Sequence, residues 1–330
     1  MLSKPFPAEP SIDVRKLLAE RGVAGLAELL RTRAGYVPQE RPLIDFVEAV
    51  SCGRPLRCMG EAGCGKTAFG KSLRYALNIT LYYLQCHEDL QTGEILYYWL
   101  DPHGARTRDN LILCDPLAAY EHCMTEADVP VLVIDEIDKT TLGNEYKLLE
   151  VFETRQATIP NLRPSSMVGI PDTSEHLGPI VIVTANDERE LSDPFISRCI
   201  FTYFQTPTPA EEVAILKSRV PAVTEPLLRQ FVKMIHVVRH ACNVDRKPGI
   251  RESISFLSSI VRKRITEIDW QVIDAHLGHI AKTPADVDNI LLKRRVLADS
   301  ISLPHDEIDE HVALAFATPG LPLQEYNVEL

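Results

Sequence analysis

The sequence predicts an α/β fold in which a three-layer domain with a parallel sheet precedes an all-helical lid domain. Between residues 55 and 204, short apolar and β-branched runs alternate with stretches of helical periodicity, as in parallel sheets covered by helices on both faces. Beyond the Thr-Pro-Thr-Pro segment at 206–209, only helical periodicity is present. We therefore expect the sheet domain to end near residue 207.

Length and composition predict a soluble globular chain. Its 330 residues are 45% hydrophobic and 25% charged, which is enough for two domains with separate cores. The formal net charge of −11 argues against a broad basic surface for nucleic acid, although a local basic channel stays open as an alternative.

The sequence also predicts a cytoplasmic protein. The N-terminus lacks the apolar run of a signal peptide, and no segment approaches the ~18 uninterrupted apolar residues of a membrane-spanning helix. The eight cysteines show no C-x-x-C pair and no regular spacing, so free thiols in a reducing compartment are the simpler interpretation.

Residues 1–35 predict a helical arm. Ser11 would cap a helix that runs to Glu20, and a second helical stretch runs from Val23 to Arg33. Residues 42–50 predict another short helix, which leads into the first strand.

Five segments predict strands of one sheet, and helical periodicity separates them. The strands are expected at Pro55–Met59, Thr80–Cys86, Val131–Ile134, Pro179–Ala185 and Cys199–Phe204. The helices are expected at Thr67–Leu77, Asp115–Cys123, Leu142–Arg155 and Ser192–Arg198. In the last of these, Asp193 would be the cap and Pro194 the first helical residue. The four apolar residues before Asp135 are typical of a central strand that is buried on both faces.

Two further segments interrupt this alternation. Ile95–Leu100 and Ala105–Leu113 predict a hairpin, with turn-forming residues between them. Residues 157–178 are rich in Pro, Ser and Gly and predict a long loop or hairpin, a length that is usually functional or mobile.

The second half of the chain predicts helices alone. They are expected at Thr208–Val220, Glu225–Cys242, Ile250–Arg262, Thr266–Ile280 and Val287–Ser300. We assign residues 208–282 to the helical lid domain and residues 283–330 to a C-terminal helical extension and tail. The stretch 303–330 contains several prolines and a glycine, and we expect it to be only partly ordered.

The stretch 60–67 carries the clearest chemical signal. It fits the pattern G-x-x-x-x-G-K-[ST], in which a glycine-rich loop between a strand and a helix wraps nucleotide phosphates. Its residues are Gly60, Glu61, Ala62, Gly63, Cys64, Gly65, Lys66 and Thr67. Backbone N–H groups and the helix N-terminus would face the phosphates. Lys66 would reach the β- and γ-phosphates, and the Thr67 hydroxyl would be a Mg²⁺ ligand. A glycine-rich turn that matches by chance is the alternative.

Polar residues follow two of the predicted buried strands. Asp135 would hold Mg²⁺ through water, because Mg²⁺ keeps several waters and uses few protein carboxylates. Glu136 would orient and deprotonate the attacking water, and Asn186 would hold that water or the γ-phosphate. The alternative for Asp135 and Glu136 is the solvated start of a loop. The phosphate loop upstream favours the magnesium and general-base roles.

Two arginines are weaker candidates. Arg198 would act across a subunit boundary as an arginine finger that stabilises transition-state charge. The alternative is an arginine that complements the dipole at a helix C-terminus. Arg251 opens a predicted helix, against the dipole preference, and would contact the nucleotide from the lid; an ordinary solvated arginine is the alternative.

The remaining candidates favour structural roles. His276 and His279 are three residues apart on a predicted helix, but no carboxylate or cysteine completes a metal site around them. The aromatic run Tyr97-Tyr98-Trp99 would either grip a partner chain or bury itself in the hairpin.

Taken together, the spacing of these motifs resembles that of the AAA+ ATPases, and within them the MoxR-like branch. The resemblance covers roughly residues 36–262 and is carried by five segments: Gln85–Gly93, Ile134–Lys139 with Leu148–Thr158, Thr184–Asp187, Ile196–Cys199 and Pro248–Arg251. The second is the most telling, since it is similar to D-E-I-N-R followed by L-L-E-x-M-E-E-R-Q-V-T. Asp138 and Lys139 stand where that branch has Asn and Arg.

The resemblance implies an ATP-hydrolysing ring, usually a hexamer, with nucleotide at the subunit junctions. It makes residues 36–207 the nucleotide-binding domain. It also implies an insert near Tyr97–Asp115 and a hairpin near Ala157–Pro179, both commonly facing the central pore. MoxR-like proteins commonly work with partners that carry von Willebrand A domains, so a protein client is the leading hypothesis. The alternatives are a nucleic-acid motor of clamp-loader or McrB type, and a scaffold that binds nucleotide without hydrolysis.

Overall fold

A five-stranded parallel sheet organises the first part of the chain in this computed structural model, which describes residues 10–90, 95–126, 128–174, 178–303 and 306–317. Its strands are β1 (Leu56–Met59), β2 (Leu81–Gln85), β5 (Val131–Asp135), β8 (Ile180–Thr184) and β9 (Ile200–Tyr203). They lie in the order β2-β5-β8-β1-β9, and every neighbouring pair is parallel. All five predicted strands are confirmed, and no end differs from its predicted position by more than one residue.

The register of the sheet brings the carboxyl ends of three strands to one edge. Gln85 pairs with Asp135, Ile134 pairs with Val183, and Thr184 pairs with Cys58. Every residue of β5 is buried, which agrees with the predicted central position of this strand. Polar side chains that follow β2, β5 and β8 therefore lie near each other.

Two small antiparallel hairpins are added to the sheet. One pairs β3 (Tyr97–Trp99) with β4 (Leu111–Leu113), and the other pairs β6 (Gln156–Thr158) with β7 (Met167–Gly169). The first lies where the sequence predicts a hairpin, and the second lies where the sequence predicts a long loop or hairpin. The C-terminal residues of the segment 85–93, which carries part of the MoxR-like resemblance, lie outside the described residues.

Six helices flank these strands: α1 (Val14–Ala34), α2 (Glu40–Cys52), α3 (Lys66–Leu77), α4 (Asp115–Thr125), α5 (Leu142–Thr154) and α6 (Asp193–Ser197). Helix α3 packs close to the sheet at Gly70. A Cβ atom added at this position would lie only 2.7 Å from Val133 Cγ2. The absence of a side chain at Gly70 thus brings the helix that follows the phosphate loop against the central strand.

Two predicted helix starts are wrong by one or two residues. Asp13, and not Ser11, caps α1, because its carboxylate accepts the N–H groups of Arg15 and Lys16. The predicted break inside this arm is a kink at Gly22, where φ is 60°. Ser192, and not Asp193, is the N-cap of α6.

The helical part contains α7 (Pro209–Arg219), α8 (Glu225–Ala241), α9 (Ile250–Arg262), α10 (Trp270–Ala275), α11 (Leu277–Ile280), α12 (Pro284–Leu292), α13 (Arg294–Ser302) and α14 (Glu307–Ala317). The single helices predicted over 266–280 and 287–300 are each two helices. Phe231 and Phe256 meet edge to face in its core, with ring centroids 5.3 Å apart. Helix α14 falls within the stretch predicted to be only partly ordered, and residues 318–330 lie outside the described range.

The chain divides into two compact units. The sheet unit contains the described residues within Met1–Ala34, Pro38–Glu61 and Gly65–Gln205, and the helical unit contains those within Gly35–Val37, Ala62–Cys64 and Thr206–Leu330. The predicted four-part domain division at residues 35, 207 and 282 stays a prediction. Within the described part of the chain, no helix is both long and apolar enough to cross a membrane.

Candidate functional site

The phosphate-loop candidate lies between β1 and α3, as its pattern requires. Gly60 and Gly65 have φ values of 145° and 103°, which residues with a Cβ rarely adopt. Helix α3 begins at Lys66, whose ammonium group donates to the carbonyls of Gly60 at 2.6 Å and Glu61 at 2.9 Å. Lys66 is buried, so its charge is held inside the loop.

Asp135, at the end of β5, accepts hydrogen bonds from three hydroxyl groups. Thr67 Oγ1 donates to its Oδ1 at 2.7 Å, and Thr184 Oγ1 donates to the same oxygen at 2.5 Å. Tyr83 donates to Oδ2 at 2.6 Å. The first residues of α3 are thereby joined to the central strand, and Asp135 is fixed by groups from α3, β2 and β8.

Glu136 leaves the strand with a left-handed backbone, at φ 56°, and its carboxylate accepts from three side chains. Asn186 Nδ2 donates to Oε1 at 3.1 Å. Gln85 Nε2 and Lys139 Nζ donate to Oε2 at 2.8 and 3.0 Å. The hydrogen bond to Glu136 raises the pKa of Lys139, so the ammonium group keeps its proton to a higher pH than a free lysine does.

Asn186 is positioned by a buried carboxylate. Asp138 Oδ2 accepts the backbone N–H groups of Asn186 at 2.8 Å and Glu188 at 2.9 Å. Between them, Asp187 adopts a left-handed conformation with φ 67°. Asp138 and Lys139, which differ from the MoxR-like pattern, therefore have two structural roles. Asp138 orders the loop that carries Asn186, and Lys139 holds Glu136.

The two candidate arginines lie in different units. The Arg198 guanidinium donates to Glu153 Oε1 at 2.5 Å and to the Pro194 carbonyl at 2.9 Å, which is the helix-end arrangement given as its alternative role. Arg251 is exposed at the second residue of α9 in the helical unit. The finger role of Arg198 and the nucleotide contact of Arg251 stay predictions.

The residues at this edge of the sheet fit a nucleotide with magnesium. A hydroxyl and a carboxylate, on Thr67 and Asp135, are the hard oxygen ligands that Mg²⁺ prefers. They lie beside the buried Lys66 and the N-terminus of α3, which both favour anionic phosphate. The donor set therefore suits Mg²⁺ better than zinc, for which nitrogen and sulfur ligands would be expected.

The weaker candidates have structural contacts. His276 contacts the Val272 carbonyl at 2.7 Å and Lys263 Nζ at 3.0 Å, and it stacks on Phe256. His279 also stacks on Phe256 and contacts Ser255. Among the residues that the structure describes, no group of three or more His, Cys, Asp or Glu side chains is placed to hold a metal ion.

The aromatic run of the first hairpin is divided between packing and exposure. Tyr97 and Trp99 pack together with ring centroids 6.1 Å apart, and Arg106 lies over the Trp99 ring. Tyr98 faces the opposite side of the strand and is 48% exposed. A contact between this hairpin and a partner chain would therefore use Tyr98 first.

Sequence reasoning missed Tyr83, Gln85, Thr184 and Lys139 as residues of this site. The available signal was the alternation in β2, which places Tyr83 and Gln85 on one face of a strand that ends beside Asp135. Neighbouring strands of a parallel sheet are distant in sequence. The pairing of β2 with β5 therefore had to be known before this face of β2 could be connected with the carboxylates of Asp135 and Glu136.

Comparison with known proteins identifies the domain around this site. Residues 57–199 match the family model of the AAA domain, dynein-related subfamily. The gas vesicle ATPase GvpN of Haloferax mediterranei is 22% identical over 267 residues, which cover 72% of this chain and 76% of GvpN. The denitrification regulatory protein NirQ of Stutzerimonas stutzeri is 37% identical over 51 residues, which cover 16% of this chain and 18% of NirQ.

A solved structure is also similar. A point mutant of RuvB from Thermogota maritima superposes with a TM-score of 0.43 at 16% sequence identity, and the match covers 80% of this chain and 73% of RuvB. The matched family model confirms the predicted P-loop α/β fold class, and the parallel sheet with its flanking helices agrees with it. Residues 57–199 of this chain are therefore an AAA domain of the dynein-related subfamily.

Proposed function

We propose that this protein hydrolyses ATP with Mg²⁺ and uses the energy to remodel or activate a protein client. The observation that carries the proposal is the hydrogen bond between Thr67 and Asp135, with Glu136 and Asn186 beside it. The proposal is supported because the N-terminus of α3, the Thr67 hydroxyl with the Asp135 carboxylate, and the Glu136 carboxylate lie at one edge of the sheet. The similarity to a protein named as an ATPase supports the same activity.

The loop and its lysine would bind the phosphates. Lys66 would exchange its carbonyl partners at Gly60 and Glu61 for phosphate oxygens, because the charge-assisted bond to phosphate is stronger than one to a neutral carbonyl. Thr67 and Asp135 would hold Mg²⁺, which when bound neutralises charge that develops on the phosphate oxygens.

Glu136 would accept the proton of the attacking water. A carboxylate offers about four lone-pair positions. In the described residues, Oε2 accepts two donors and Oε1 accepts one, from Asn186. The second lone pair of Oε1 is therefore the position at which water would be held, and Asn186 keeps that oxygen oriented.

We propose a homo-oligomeric ring, as a hexamer, in which Arg198 completes the site of the neighbouring subunit and Arg251 contacts the nucleotide from the helical unit. Both roles follow from the MoxR-like resemblance. The same resemblance supports a protein client, with a von Willebrand A domain protein as the candidate partner. The net charge of −11 favours this client over nucleic acid. We place the activity in the cytoplasm.

Exchange of Glu136 for Gln tests the proposal. Glu136→Gln keeps the shape and the hydrogen bond from Asn186 but removes the base, so ATP should stay bound while phosphate release falls about 100-fold or more. Glu190→Gln is the matched control, since Glu190 is an exposed carboxylate on the same loop as Asn186. Turnover by Glu136→Gln at the wild-type rate would contradict the base assignment. A protein that co-purifies with Glu136→Gln in ATP, and not in ADP, would identify the client.

A further inference from the structure

One hydroxyl group lies between the two parts of the proposed hydrolytic site. The Tyr83 hydroxyl oxygen is 2.6 Å from Asp135 Oδ2 and 2.7 Å from Gln85 Oε1. A carboxylate oxygen and an amide carbonyl oxygen both only accept hydrogen bonds, and a phenol has one proton to donate. Asp135 and Gln85 therefore share a single proton.

The far end of the Gln85 amide contacts the proposed base. Gln85 Nε2 donates to Glu136 Oε2 at 2.8 Å. The hydrogen bonds consequently run from Asp135 through Tyr83 and Gln85 to Glu136. The parallel register explains this arrangement, because Gln85 is paired with Asp135 and Tyr83 lies two residues earlier on the same face of β2.

Tyr83 itself is held in place on two sides. Lys71 Nζ, on α3, lies 3.8 Å from the centre of its ring, and the Tyr83 backbone N–H donates to Asp115 Oδ2 at 3.1 Å. A phenol keeps its proton at neutral pH, because its ordinary pKa is about 10. With the ring fixed, the direction of the O–H bond is the freedom that remains.

The direction of that bond depends on the charge at Asp135. An unpaired negative charge on the Asp135 carboxylate attracts the Tyr83 proton to Oδ2. A cation that offset this charge would make the Gln85 carbonyl the better acceptor. A proton directed to Gln85 Oε1 fixes the amide with its NH₂ group toward Glu136. A proton directed to Asp135 leaves the amide free to rotate away from Glu136.

We propose that Tyr83 is a positioning residue of the hydrolytic site, which transmits the charge state of Asp135 to Glu136 through the Gln85 amide. The inference rests on the proposed function. It adds to that function a physical link between the magnesium ligand and the general base, made by a side chain outside the set proposed to bind phosphate and magnesium.

Tyr83→Phe removes only the shared hydroxyl and retains the ring under Lys71. Tyr82→Phe is the matched control, because it removes a hydroxyl from the opposite face of the same strand, where Tyr82 contacts His122 at 3.2 Å. Loss of one hydrogen bond to a charged group predicts a fall in kcat of about tenfold for Tyr83→Phe, with nucleotide affinity in EDTA changed less than about twofold. Equal effects of the two substitutions on kcat would overturn the proposal.

A double-mutant cycle separates transmission through Gln85 from a local effect. Gln85 is exposed, so Gln85→Ala is expected to fold normally. If Tyr83 acts through Gln85, adding Tyr83→Phe to Gln85→Ala should slow turnover by less than about twofold. Fully additive losses, with the fold intact by circular dichroism, would show that Tyr83 acts on Asp135 alone.

A binding measurement distinguishes failure of this inference from failure of the proposed hydrolysis. The Mg²⁺ concentration for half-maximal binding of a fluorescent, non-hydrolysable ATP analogue reports on Asp135. Coupling requires that Glu136→Gln shift this concentration by about threefold or more in the wild-type background and not in Tyr83→Phe. The same shift in both backgrounds would exclude Tyr83 as the link, whether or not the chain hydrolyses ATP.

Discussion

Arg198 and Glu153 form an ion pair that joins the end of α6 to α5. Arg198 Nε donates to Glu153 Oε1 at 2.5 Å, and a second guanidinium nitrogen contacts the same oxygen. The Arg198 side chain is 35% exposed, so part of the guanidinium faces solvent. This pairing provides a way to separate a role of Arg198 within its own subunit from a role toward a neighbour.

Arg198→Ala should leave nucleotide binding intact and reduce hydrolysis about 1000-fold, because an arginine finger stabilises charge that exists only in the transition state. Rings mixed from Arg198→Ala and Glu136→Gln subunits would locate the defect. Under the finger model, activity reappears where a wild-type Arg198 from one subunit faces an intact Glu136 in the next.

Glu153→Gln is the control for this prediction. It removes the ion pair within the subunit and leaves Arg198 in place, so hydrolysis should stay within about threefold of wild type. A loss in Glu153→Gln as large as that in Arg198→Ala would assign Arg198 to the end of α6 and not to the neighbouring site.

Lys66→Ala should weaken ATP binding by about 100-fold, which corresponds to roughly 3 kcal/mol for the loss of a charge-assisted contact with phosphate. Equilibrium titration with a fluorescent ATP analogue measures the affinity. Lys16→Ala, on the exposed surface of α1, removes the same charge without touching the loop and should bind normally. Unchanged affinity in Lys66→Ala would contradict the phosphate-loop assignment.

A buried ion pair in the helical unit predicts a large stability effect. Arg239 contacts both oxygens of the fully buried Glu212, at 2.6 and 2.9 Å. Arg239→Met leaves Glu212 without its cation, and the free energy of unfolding should fall by about 3 kcal/mol or more. Urea unfolding of the full chain measures this change. Arg295→Ala, exposed on α13, should change it by less than about 0.5 kcal/mol.

The Asp286 carboxylate predicts a dependence of stability on pH. It accepts the backbone N–H groups of Asp245, Lys282 and Thr283, and these bonds, led by that from Asp245, lower its pKa in the folded chain. Because the folded pKa lies below the unfolded value of about 3.9, the stabilisation is complete above that pH and is lost as pH falls through the folded pKa.

Asp286→Asn should therefore unfold at a lower urea concentration than wild type at pH 7. This deficit should persist down to about pH 5 and shrink below about pH 4. Asp288→Asn, an exposed position on the same helix, should show no deficit at any pH. A deficit for Asp286→Asn that is independent of pH down to pH 2 would show that shape, and not charge, matters at this position.

Much of the sheet could be predicted because its signals are local. The continuous apolar run of β5 and the turn residues around the first hairpin each indicate their structure without knowledge of neighbours. The helical part was harder. One predicted helix over 287–300 is broken at Lys293, and it starts earlier, at Pro284, because Thr283 and Asp286 form a capping box. That capping signal was present in the sequence and was missed.

The site shows a similar division. Lys66, Thr67, Asp135, Glu136 and Asn186 follow from spacing along the chain. The partners that hold them depend on strand order: Tyr83 reaches Asp135, and Thr184 both accepts from the Glu136 N–H and donates to Asp135. Such contacts join strands separated by about 50 residues, and periodicity within one strand cannot specify them.

The carboxylate of Asp115 has a consequence for assembly. Strand β2 is an edge of the sheet, and an edge strand presents unpaired N–H groups that can recruit a strand from another molecule. The Asp115 carboxylate accepts a hydrogen bond from the Tyr83 N–H and lies along that edge. At Tyr83 the edge is therefore closed to a strand of another molecule, because this N–H group already has an acceptor.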